Sequence, residues 1–81
     1  MSESRRREDS RSLADVTEGF QGHIREVQGD SSLCSRLLEM GFTPGQAVAL
    51  VASSPFRDPI AFSLRGTVIA LRRQEARCIL V

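Results

Sequence analysis

The stretch Met40-Gly41-Phe42-Thr43-Pro44-Gly45 limits what this chain can fold into more than any other. It follows a segment, Ser32 to Met40, in which Leu33, Leu37 and Met40 share one helical stripe. Cys34 and Leu38 flank that stripe, and Ser35 and Glu39 face away. Gly29-Asp30-Ser31-Ser32 supplies N-cap residues at its start. Gly41 stands where a helix commonly ends in a left-handed residue, a conformation glycine adopts without steric cost. Phe42 is placed to fold back on the last turn, and Thr43-Pro44-Gly45-Gln46 has the chemistry of a type II turn. A helix must therefore stop, reverse and give way to a strand within six residues.

The flanking sequence reads as strands. Phe20 to Gln28 alternates well enough for one strand, with Phe20, His23 or Ile24, and Val27 as inward candidates; His23-Ile24 breaks the alternation. Ala47 to Ala52 is an apolar run that suits a strand covered on both faces. Ser53 to Pro59 is a proline-bounded loop, and Ile60, Phe62 and Leu64 share one face of the next strand. Arg65-Gly66 connects to Thr67–Arg72, Arg73–Ala76 has room for one helical turn, and Arg77–Val81 closes the chain as a last strand. The expected fold is mainly β: a small closed barrel of about five strands, with one short α-helix between strands one and two.

Size and charge narrow the function classes. At 81 residues the chain holds one domain with a thin core, which disfavours a deep catalytic pocket more than a binding surface. All eleven basic residues are arginine, and four of them lie in the first eleven residues beside Glu3, Glu8 and Asp9. Residues 1–12 are polar without apolar periodicity and read as a disordered leader, leaving 13–81 as the domain. From Ser12 to Val81 seven arginines meet seven acids, a balance that argues against general nucleic-acid binding. The chain shows neither an apolar signal-peptide segment nor a run near the ~20 apolar residues of a membrane span. A cytoplasmic protein with Cys34 and Cys78 as free thiols is the expectation.

No catalytic constellation emerges. His23 is the single histidine, and a nucleophile–base pair would have to join it to Cys34, Cys78 or a serine across the fold. The same residues form no C-x-x-C or H-x-x-x-H pattern, so no metal site within one chain and no cofactor is expected. Gly41, Gly45 and Gly66 are turn glycines without the phosphate-loop spacing or its lysine.

Across residues 13–81 the motifs resemble the ferrous iron transport protein A (FeoA) family of small SH3-like barrels. The resemblance rests on Leu13-Ala14-Asp15 with Gly19, then Arg36 through Gly45, then Pro55 and Asp58-Pro59-Ile60. It continues through Arg65-Gly66, Ala70-Leu71-Arg72, Glu75-Ala76, and Ile79 with Val81. The chain departs from the family pattern at Arg57, where a small residue, often glycine, is usual, and at Phe56, which replaces an aliphatic residue. The resemblance implies an accessory role in bacterial ferrous iron uptake. The implied partner is a FeoB-type membrane permease with a GTP-binding domain, approached from the cytosolic side, so that the chain is peripheral to the membrane only through that partner. Similar SH3-like domains end iron-dependent repressors, which gives a regulatory alternative. A nucleic-acid-binding small barrel is a further one, and self-association is left open.

Two places are candidates for partner contact. One is the helix end with Met40, Phe42 and Pro44, where core capping is the stronger expectation for Met40 and Phe42. The other is the Pro55–Pro59 loop with Phe56 and Arg57, where a large apolar side chain at a proline-bounded tip has less reason to be buried.

Overall fold

In the computed structural model, which describes residues 11–81, helix α1 runs from Ser31 to Glu39 and stops where the sequence requires. Asp30 caps its start, the side-chain Oδ1 accepting from the Leu33 N–H at 2.8 Å. At its end the Phe42 N–H donates to the Leu37 carbonyl at 3.1 Å and the Gly41 N–H to the Leu38 carbonyl at 3.0 Å. That pair of bonds is a Schellman motif, and it needs the left-handed φ of 111° found at Gly41. Gln46 N–H then bonds the Thr43 carbonyl at 3.0 Å with Gly45 at φ 91°, the expected reversal.

The strands are β1 (Gln21–His23), β2 (Glu26–Val27), β3 (Ala47–Ser53), β4 (Ile60–Leu64), β5 (Thr67–Leu71) and β6 (Ile79–Leu80). A second short helix, α2, covers Arg73–Ala76. Strands β1, β3, β4 and β5 form one antiparallel sheet in the order β1-β3-β4-β5, and β2 pairs with β6 in a second. There are thus six strands among the described residues, and α1 lies between the second and third. The extra strand comes from Phe20–Gln28, expected as a single strand. At Ile24 the chain leaves β3's sheet: Ile24 exchanges hydrogen bonds with Gly45 and Gln46, and Arg25 N–H already bonds Leu80. The broken alternation at His23-Ile24 marks this change of sheet, with Ile24 buried and His23 exposed.

Ile60, Phe62 and Leu64 point inward as expected and join Leu13, Val16, Ile24, Leu37, Phe42, Leu71 and Ile79 in the core. Burying each of these larger side chains contributes about 1.5–3 kcal/mol before the entropy of ordering is subtracted. Strand β3 differs from its expectation, because only one face is covered. Val48 is buried, but Val51 is 52% exposed at a register shift between Leu50 and Ala52. The run of alanine and valine has no polar residue to reveal its period of two.

Backbone pairing also reaches two residues before Leu13. Ser12 is 5% exposed and bridges Leu80, and the Val81 N–H bonds the Arg11 carbonyl at 2.8 Å. Ser12 Oγ accepts from the Ala14 N–H while Asp15 accepts from the Ser12 N–H, a short polar knot that sequence periodicity does not register. The rest of the expected leader, residues 1–10, lies outside the described residues.

Candidate functional site

The Pro55–Pro59 loop joins β3 to β4 and is held from within. Arg57 N–H bonds the Ser54 carbonyl at 2.8 Å, Asp58 N–H bonds Ser54 Oγ at 2.9 Å, and Ser54 N–H bonds the Pro59 carbonyl at 3.3 Å. Arg57 itself sits at φ 59°, a conformation that suits glycine better than arginine. Its guanidinium turns inward and donates through Nη2 to the carbonyls of Val16 at 2.6 Å and Ala14 at 3.2 Å. The loop is thereby strapped to the N-terminal segment, and Phe56 at its tip is left 86% exposed.

The two contact candidates therefore separate. Phe56 presents its ring to solvent, whereas Arg57 Nη2 donates to two backbone carbonyls of the N-terminal segment. At the helix end, Phe42 is fully buried, Met40 is half-buried against the core, and only Pro44 is fully on the surface. Phe42 offers no contact surface, because it is fully buried directly after the Schellman turn at Gly41. Pro44 and Phe56 lie on different loops, one entering β3 and the other leaving it.

Beside the Phe56 loop lies a feature that the sequence pattern does not reveal. Arg72, Arg73 and Arg77 line a polar hollow of about 550 Å³ together with Asp58 and Gln74. Asp58 Oδ1 accepts from the Arg73 N–H at 3.2 Å and stands 3.6 Å from Arg72 Nη1. Glu75 is engaged elsewhere: Oε1 accepts from the Arg72 N–H at 2.9 Å and Oε2 pairs with the Arg36 guanidinium. The available signal was the spacing of Arg72, Arg73 and Arg77 around one helical turn.

A second hollow, about 620 Å³ and mostly apolar, opens on the outer face of β1 and β3. His23, Gln46, Ala47, Ala49 and Arg65 are among its lining, and Arg65 Nε donates to Gln46 Oε1 at 3.0 Å. Cys34 and Cys78 are free thiols, both half-buried. Cys34 Sγ lies 3.5 Å from the Gly29 carbonyl, and Cys78 Sγ lies 3.5 Å from that of Gln74. Burial, reinforced by the neighbouring Cys34, pushes the Cys78 thiol above its ordinary pKa. Among the described residues no three His, Cys, Asp or Glu side chains converge on a common metal position. No helix among them is long and apolar enough to cross a membrane.

Six short strands in two antiparallel sheets around one core define an SH3-like domain. The FeoA domain model matches residues 11–81, and the chain belongs to the FeoA family, which is part of ferrous iron transport systems. That family is a small transport-associated domain and not a known enzyme family. The Fe(2+) transport protein A/Fe(2+) transporter FeoB fusion protein of Porphyromonas gingivalis is 35% identical over 64 residues, 79% of this chain. The chain spans only 8% of that relative's length. A FeoA-like protein from Clostridium acetobutylicum superposes with a TM-score of 0.81 at 28% identity, covering 89% of this chain and 84% of that one. The Stenotrophomonas maltophilia FeoA solved with zinc, described as a prokaryotic SH3 domain protein, gives 0.75 at 27% identity, covering 86% and 88%. A manganese-dependent transcriptional repressor gives 0.81 at 18% identity over 36% of its length, which shows a common fold alone.

Proposed function

We propose that this protein is a cytosolic accessory factor of ferrous iron uptake that binds or regulates a FeoB-type permease through protein–protein contact. The observation that carries the reading is the Porphyromonas gingivalis relative, in which a FeoA unit and the FeoB transporter share one polypeptide. Fusion keeps two units at high effective concentration, which is useful when they act on each other. The iron path and the GTP chemistry belong to the permease, and this chain supplies no catalytic group. Phe56 is the side chain best placed to enter the partner, since it has no packing role to lose.

Deleting the gene should lower ferrous iron uptake by whole cells, and the wild-type gene should restore it. Unchanged uptake in a strain that has no second ferrous route contradicts the proposal. A regulatory role beside a repressor has only the shared fold behind it. Capture of a repressor in place of the permease from a cell extract would favour that role.

A further inference from the structure

We propose that Phe56 and the arginine-lined hollow beside it form one docking surface, and that its occupant is an acidic segment of the protein partner carrying a small apolar recess. This rests on the reading that the chain acts on a permease. The register brings the two parts together. Ser53 pairs with Ile60, and Ile60 with Leu71, so the Phe56 loop and α2 leave the same end of the four-stranded sheet. Asp58 ties them, receiving the Arg73 N–H and facing Arg72 from within the loop.

Charge identifies the occupant. Three arginines, Arg72, Arg73 and Arg77, line the hollow with one acidic residue, Asp58. Glu75 bonds Arg36 and the Arg72 backbone and does not line the hollow. From Ser12 to Val81 arginines and acids are equal in number, so the excess is local to this end. Guanidinium groups are weakly hydrated and bind carboxylates in a two-pronged fashion, which suits an acidic protein segment.

Phe56 supplies the apolar anchor, and the strap through Arg57 holds its loop in place before binding. Ordering costs are thereby met in the free protein, a condition that favours a binding hot spot. One ring and three arginines make a poor lipid anchor, which needs stronger or paired signals. They are also a poor single-strand platform, which needs several stacking aromatics in a basic groove.

The test is a titration of the FeoB-type permease in nanodiscs with the full chain, at low and high salt. The chain is compared with Phe56→Ala, Arg73→Glu/Arg77→Glu and Arg73→Gln/Arg77→Gln, and thermal melts confirm that each is folded. Phe56→Ala is expected to raise Kd about tenfold or more. The charge reversal should slow association about tenfold at low salt, with a smaller effect at high salt and an intermediate effect for the glutamine pair. If the wild type binds and every variant stays within about twofold, the surface is wrong while the permease reading stands. If the wild type does not bind, the permease reading fails and takes this inference with it. Sedimentation of the chain with permease-free anionic vesicles, lost in Phe56→Ala, would assign the surface to lipid and overturn the proposal.

Discussion

Replacing Arg57 by alanine removes the strap that holds the Phe56 loop against the N-terminal segment. Two charge-assisted hydrogen bonds are lost, to the carbonyls of Val16 and Ala14, both in buried residues. Bonds of this kind contribute about 1.5–3 kcal/mol each, and partial exposure of the guanidinium reduces the pair to roughly 2–3 kcal/mol. In a domain of this size that corresponds to a fall in melting temperature of about 10–20 °C. The backbone supplies an internal control. At φ 59° alanine is as strained as arginine, whereas glycine is not, so Arg57→Gly should recover about 1 kcal/mol of the loss. Circular-dichroism melts and urea titrations of the three proteins measure both differences. An Arg57→Ala protein within ~0.5 kcal/mol of wild type would refute the strap, because surface substitutions away from structural features fall in that range.

Other perturbations probe the frame. Gly41→Ala forces a side chain onto φ 111° and brings its Cβ to 3.1 Å from Leu64 Cδ1. It should lower stability by about 1–2 kcal/mol in urea, and a neutral result would contradict the Schellman stop. Asp30→Ala removes the cap on Leu33 and should cost about 1 kcal/mol, with Asp30→Ser close to wild type. The Cys78 thiol is raised by burial and by Cys34, so the unfolded chain releases that proton at a lower pH than the folded protein. Stability should therefore fall as pH rises past the ordinary thiol range, and Cys78→Ala should flatten that fall. Urea midpoints from neutral to alkaline pH measure it, and equal slopes in the two proteins would contradict the assignment.

Much of this fold was legible because its decisive turns depend on glycine, proline and capping chemistry. Gly41, Pro44 and Gly45 stop the helix and reverse the chain almost without tertiary help, and the alternation of Ile60, Phe62 and Leu64 sets the central strand. What escaped the sequence depends on contacts between distant segments. The split of Phe20–Gln28 is decided by Gly45 and Gln46 on one side and Leu80 on the other. Arg11 and Ser12 look like the end of a polar tail until Leu80 and Val81 pair with them. Exposure of Phe56 followed from its place between two prolines. The inward turn of Arg57 did not, since its acceptors lie about forty residues earlier. The arginine hollow was hidden for the same reason, because Asp58 and α2 meet only after β3, β4 and β5 are in register.

Co-purification tests most directly the proposal that this chain acts by binding a ferrous iron permease. Detergent-solubilised membranes from cells producing the affinity-tagged protein should yield the FeoB-type permease, enriched well above an untagged control. Absence of the permease from that eluate, in a preparation where a covalently fused FeoA–FeoB control is recovered intact, would contradict the claim.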